Sequence, residues 1–221
     1  MENINIKNFS GWVFCRSTRG SYDVLCSTPR SFEFKPGATL LHGAIDTGAW
    51  AISYALSVKL KKIGRSQAVL DEQMLKISID DQLSSLKEVQ KHACYLDTTF
   101  KLFRSRVSVK TLIERGLKFS KAAITAEELR SLFEITQCRF ERRLSRVGNE
   151  HFRCMAAIGY AWGLDVFCFP WMSAKMVSYY QNNIFAVLKV LSSLGKIAIL
   201  PTEYCFEPEP VDSMFCASYY F

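Results

Sequence analysis

TLLHGAIDTGAWAISYAL, residues 39–56, is the stretch on which the fold turns. An apolar run ends at Gly43, a short polar stretch follows, and Gly48 opens a segment with Ile52, Ala55, Leu56 and Leu60 at helical spacing. That reads as a strand, a glycine-bounded turn and a helix reaching about Lys62. Gly43 and Gly48 have the spacing of a phosphate-binding loop, G-x-x-x-x-G-K-[ST]. In such a loop the Lys reaches the phosphates and the hydroxyl holds magnesium. Here the next two residues are Ala49 and Trp50, which supply neither group. Two glycines alone are a weak signal, so the flanking chain has to decide.

Before the stretch, INIKNF alternates, YDVLCS and RSFEFK are strand candidates, and Pro36-Gly37 marks a turn. After it, residues 66–79 read as β, 80–91 as a polar helix and 93–96 as a short strand. Residues 107–163 read as mostly helical. Ser108 caps a helix to Arg115 with Gly116 as its stop. Thr125 with Glu127 and Glu128 starts a second, and a third runs from near Gly148 to Trp162. VFCF, a helix over Ser173–Leu194 stopped by Gly195, KIAIL and SMFCASYYF complete the chain. Apolar runs such as VFCF and KIAIL suit a parallel sheet covered on both faces. The expectation is an α/β fold with a helical subdomain.

The 221 residues suit a single domain, and 49% hydrophobic with 22% charged residues allows an ordinary core. MENINIKNF lacks a basic stretch followed by an apolar core, so no secretion signal is expected. The apolar run Cys154–Pro170 is broken by Asp165 and is short for a membrane span. A soluble cytoplasmic protein is expected, or one peripheral on the inner face of a membrane. Eight cysteines occur with no C-x-x-C pair, and His42, His92 and His151 share no metal-ligand spacing with them. They read as reduced thiols serving as small apolar residues. The charge of +7 is localised: residues 101–153 hold 13 Lys or Arg and 6 Glu, a net +7, and the remainder is neutral. This basic segment is either a solvated helical face or a surface for an acidic partner, phospholipid headgroups or nucleic acid.

Taken in order, these segments resemble the nucleotide-binding domain of ATP-binding cassette (ABC) transporters, from about residue 3 to the end. FEFKPGATLLHG is similar to that family's strand–turn–strand before the phosphate loop. Asp46 stands where a further Gly is usual, Ala49 at the phosphate-contacting Lys, and Trp50 and Ala51 at the Ser and Thr. CYLDTTFKLFRSRVSVKTLI resembles the next family segment: Phe103, Val107, Val109 and Leu112 keep its apolar pattern, with Thr98 at its Gln. In RVGNEHFRCMAAIGYAWGLDVFCFP, Gly148, Arg153, Ala156, Ala157 and Ala161 fit the signature helix. Val147 stands at the signature Ser and Asn149 at its second Gly, with Glu150 following. Pro170 and Trp171 stand at the magnesium-linked Asp and the catalytic Glu. Ser173-Ala174 fits the next loop, while Lys175-Met176 departs from it. In LGKIAILPTEY, Thr202 fits and Glu203 replaces the switch His.

The resemblance implies a P-loop NTPase-like α/β fold. It has an N-terminal antiparallel β-subdomain and a helical subdomain at about residues 101–153, within one cassette-like domain over 1–221. It also implies a pseudo-ATPase, because phosphoryl transfer depends on positioning and charge neutralisation and the usual suppliers of both are replaced. ATP binding and a magnesium site are not expected, and Trp50 is placed to fill the phosphate space. No catalytic or metal-ligating residue is assigned. Trp12 and Phe14 could stack a base, and Asp97 and Glu203 could pair as carboxylates. The simpler readings are ordinary aromatics and a solvated strand end. The expected role is a structural, assembly or regulatory subunit of a membrane transport or export complex. Its partner would be a transmembrane subunit or an active ABC ATPase, in a homo- or heterodimer. Lys101, Arg104, Arg106, Arg139, Arg142, Arg143 and Arg146 are the candidate partner-facing residues. The alternative is a cytoplasmic scaffold or regulatory module for protein or nucleic acid. An enzyme with rebuilt chemistry has no visible motif behind it.

Overall fold

The computed structural model describes residues 1–17, 20–45, 47–57, 69–70, 74–97, 106–204 and 215–220, with the backbone alone at 11–17, 20–27, 69–70 and 215. The first unit is an antiparallel sheet. β1 (Ile4–Ser17) pairs with β2 (Gly20–Phe34), β4 (Val69–Leu70) and β5 (Lys76–Ile79), and β6 (Gln82–Ser84) pairs with β5. Ile4, Ile6, Phe32 and Phe34 are buried while Lys7, Glu33 and Lys35 face out. That is the alternation of a sheet with one covered face. Phe9 breaks the parity of Ile4 and Ile6 yet is also buried. A register shift between Ile6 and Phe9, with Asn8 at φ 60°, returns the later residue to the core side.

The polar helix expected over 80–91 is present only from Leu86 to Lys91, as α2 capped by Ser85. Its first part is a hairpin. Asp80 and Asp81 both take positive φ, 50° and 63°, between paired Ile79 and Gln82. Two left-handed residues are what a tight two-residue hairpin turn requires. The Asp80 carboxylate accepts from the Glu2 and Asn3 amides at 2.7 and 2.8 Å.

The second sheet is wholly parallel. Its order is β10 (Phe215–Tyr220), β3 (Gly37–His42), β9 (Ile197–Thr202), β8 (Val166–Cys168) and β7 (Ala93–Tyr95). Alternate residues serve different cores. Leu41, Cys168, Ile197 and Ile199 pack with the antiparallel sheet and with α1 (Ala49–Ser57). Ala38, Leu40, Phe167, Ala198 and Leu200 pack with the helices of the opposite face. Residues Ala49–Leu56 of α1 are all buried. A helix apolar on every side is stable only when enclosed. Residues 58–68, including the expected end of this helix at Lys62, lie outside the described residues.

The opposite face carries α3 (Val109–Ser120), α4 (Ala126–Leu132), α5 (Gln137–Phe140), α6 (His151–Ala161) and α7 (Ala174–Ser193). Ser108 and Ser173 cap α3 and α7 through their hydroxyls, and Thr125 with Glu128 forms a full capping box on α4. Gly116 does not stop α3, which continues to Ser120 and ends on left-handed Lys121. A Cβ at Gly116 would lie 2.6 Å from Trp162 Cδ1 and 2.9 Å from the Ala161 carbonyl carbon. The glycine marks where α3 crosses α6 closely, not a helix end. Two 3-10 turns, Leu144–Arg146 and Gly148–Glu150, lead into α6, which therefore begins after the expected start at Gly148.

Candidate functional site

Parallel pairing delivers four chain segments to one edge of the second sheet. These are Gly43 after β3, Asp97 after β7, Phe169–Met172 after β8 and Thr202–Glu203 at the end of β9. His42 pairs with Thr202, the Gly43 amide donates to the Thr202 carbonyl at 2.9 Å, and Met172 bridges to Thr202 from the other side. The Leu96 amide donates to the Cys168 carbonyl at 2.8 Å. The carboxyl edge of such a sheet is where α/β folds place ligands.

The turn from 43 to 48 is internally bonded. The Thr47 amide and hydroxyl both donate to the Ala44 carbonyl, at 3.1 and 2.8 Å. Gly48 takes φ +106°, a conformation side chains rarely adopt, and the first turn of α1 closes on its carbonyl. Asp46 and Thr98 lie outside the described residues.

Two indoles define the chemistry here. Trp50, only 3% exposed, packs in the cluster between the sheets, and its Nε1–H donates to the Tyr95 hydroxyl at 2.7 Å. Tyr95 in turn meets Tyr54 edge to face. Trp50 is therefore an interior residue. Trp171 is the indole that meets the loop: its Nε1–H donates to the Gly43 carbonyl at 3.0 Å. Pro170 is buried, and the neighbouring Phe169 carbonyl accepts the Ser53 hydroxyl at 2.6 Å.

Thr202 and Glu203 are used structurally. The Thr202 hydroxyl donates to the Met172 carbonyl at 2.7 Å and accepts from the Tyr204 amide at 3.0 Å. Glu203 accepts from the Ala174 amide at 3.3 Å, adding a carboxylate to the N-terminus of α7 beside the Ser173 cap. Asp97 is buried at the end of β7. Ala49, Trp50, Pro170 and Trp171 offer neither ammonium, hydroxyl nor carboxylate.

The signature-like segment lies at the start of α6. Val147 is buried and Asn149 exposed. Gly148 takes φ +64° beside the Arg139 guanidinium, which donates to the Arg146 carbonyl at 3.2 Å. Glu150 is tied to Thr136, accepting from its amide at 3.0 Å and from its hydroxyl. His151 sits against Phe152 and Tyr180, with Nδ1 3.3 Å from the Gly148 carbonyl. Burial pulls its pKa down to about 4, so the ring is neutral at physiological pH.

The basic residues divide. Lys110 pairs with Glu127 and Glu141, Arg130 with Glu127, and Arg153 with Glu134. Arg106, Arg142, Arg143 and Arg146 are exposed. They are drawn together because Ser108 bridges to Arg143 and the Val109 amide donates to the Arg142 carbonyl. Lys101 and Arg104, like the side chains of Trp12 and Phe14, lie outside the described residues.

No protein-family model matches the sequence, and no curated protein does. Solved structures match over the whole chain. One is described as a putative ABC transporter ATP-binding protein from Pyrococcus furiosus. It has a TM-score of 0.62 at 10% identity, over 99% of this chain and 96% of that one. The fold is that of an ATP-binding cassette domain. Another match is the ADP conformation of an ATP-binding cassette of an ABC transporter. It also has a TM-score of 0.62, at 12% identity, over 100% of this chain and 87% of that one. The cassette fold thus accounts for the antiparallel unit, the parallel sheet and the helical layer together. No helix among the described residues is long and apolar enough to cross a membrane.

Proposed function

We propose that this chain is a non-catalytic cassette-fold subunit or assembly factor. It would serve a membrane transport or export complex by holding a protein partner, without hydrolysing ATP. The observation that carries the reading is the Trp171–Gly43 hydrogen bond: the residue that the resemblance sets at the catalytic carboxylate is an indole bonded to the turn after β3. The inward-packed Trp50 and the use of Glu203 by α7 support it. Partnering with a transmembrane subunit or an active cassette ATPase follows from the fold as an expectation. Calorimetry with ATP and magnesium tests the non-catalytic part, together with a phosphate-release assay. Micromolar, magnesium-dependent binding or turnover would overturn it. Native mass spectrometry of the chain purified from its host membrane tests the partner: a free monomer throughout would count against it.

A second reading rests on the exposed Arg106, Arg142, Arg143 and Arg146. Four guanidiniums at the N-terminal end of α3 suit an acidic protein surface or nucleic acid in a scaffolding role unrelated to transport. Salt-sensitive retention on nucleic acid, lost when these arginines are neutralised, would favour it.

A further inference from the structure

We infer that the C-terminal tip of α3 is a contact site for an anionic phospholipid surface. The tip is distinct from the arginine cluster, which lies at the other end of the same helix. Phe119 is 71% exposed although it is a large apolar ring on the last turn. Arg115, Lys118 and Lys121 are exposed around it, and the chain then turns on left-handed Lys121 into exposed Ala122 and Ala123. From Arg115 to Ala126 the sequence has no acidic residue. Exposed carboxylates flank this stretch in sequence: Glu114 one position before it, and Glu127, paired with Lys110 and Arg130, one position after it. Asp165, beyond Trp162, is paired with Lys196 at 2.7 Å.

An apolar ring between cations is what a bilayer interface accommodates. The ring enters the acyl boundary while lysine stems extend their ammonium groups to the headgroups. Lys118 in the last turn also complements the helix dipole, but that role gives no reason for an exposed Phe119. The Phe119 ring lies 5.4 Å from the Trp162 ring at 33°, so one face is already occupied by a partly buried indole. That leaves the opposite face and the edge of the ring exposed to insert. A uniformly acidic protein surface would satisfy the lysines and leave the ring in water.

The test is flotation of the full chain with vesicles of pure phosphatidylcholine and of equimolar phosphatidylcholine and phosphatidylglycerol. Binding is expected to the anionic vesicles alone and to weaken with salt. Each basic side chain at an anionic surface is worth about fivefold in partitioning, so Lys118→Ala with Lys121→Ala lowers it about 25-fold. Phe119→Ser lowers it about tenfold at unchanged charge, and Phe119→Leu restores most of the loss. Circular-dichroism melts confirm that each variant is folded. Three results would overturn the inference. They are equal binding to neutral vesicles, no effect of Phe119→Ser in a folded variant, and competition by nucleic acid that ignores Phe119. None of them bears on ATP binding, so this inference and the non-catalytic reading fail separately.

Discussion

Restoring a hydroxyl at position 50 separates an interior Trp50 from one that merely fills ligand space. Trp50→Ser removes an indole that is 3% exposed, and truncating a buried aromatic costs about 3–5 kcal/mol. The Tyr95 hydroxyl also loses the donor it receives at 2.7 Å, a further cost of about 1 kcal/mol. A net loss of about 4–6 kcal/mol is expected, a large share of a typical domain's roughly 5–15 kcal/mol. For a chain of this length the melting temperature falls by about 8–24 °C. Trp50→Phe keeps a ring and loses the N–H, so its cost should be smaller, about 1–2 kcal/mol. Urea unfolding followed by circular dichroism reads both. A loss below about 1 kcal/mol for Trp50→Ser, together with new binding of magnesium-ATP, would place the indole in the phosphate space and refute the packing argument.

Gly116→Ala should destabilise by about 1–3 kcal/mol although alanine is the better helix former by about 1 kcal/mol, because the new methyl meets Trp162 at 2.6 Å and backbone at 2.9 Å. Denaturant melts that show stabilisation would contradict the close α3–α6 crossing. Burial lowers the His151 pKa from 6.5 to about 4, so the unfolded chain takes up the proton first and stability falls as pH drops from about 6.5 towards 4. The ring is partly exposed, so the loss should be about 2 kcal/mol, and His151→Gln should flatten that limb of a stability-versus-pH curve. Among the described cysteines Cys138 and Cys216 are exposed, while Cys94, Cys154 and Cys168 are buried with thiol pKa values raised by burial, that of Cys168 to about 12. In a thiol-reagent time course Cys138 and Cys216 should therefore react in the folded protein and the three buried thiols only on unfolding.

What the sequence revealed follows the range of the interactions involved. The strand–turn–helix around Gly43 and Gly48 and the caps at Ser108, Thr125 and Ser173 depend on residues within a turn of one another, and they were legible. The order of elements was legible as a cassette-like series even where the chemical positions differ. Gly116 was misread because its local signal, a glycine after an amphipathic run, matches a helix stop. Its actual cause is Trp162, 46 positions away. The start of the polar segment at residue 80 was misread because two adjacent aspartates also suit a helix N-terminus. The hairpin is decided by pairing of Ile79 with Gln82 and by the Glu2 and Asn3 amides. The Trp171–Gly43 bond spans 128 positions and the Ala174–Glu203 bond 29. No local pattern announces either, yet they settle what the loop edge is made of.

The pairing of β10 with β3 has a consequence for the order in which the protein is made. β3 lies second in the finished sheet, flanked by β10 and β9. During synthesis it is exposed as an apolar strand until Ile197–Thr202 has emerged, and it remains an open edge until Phe215 follows, 173 residues after His42. At ordinary translation rates that interval is about 10–35 s. Through it, the ATLL run is a template for pairing with any other nascent strand. The nascent chain is thus most vulnerable to misassembly through a segment that ends up among its best-covered, and a chaperone acting on this protein has its longest task at β3.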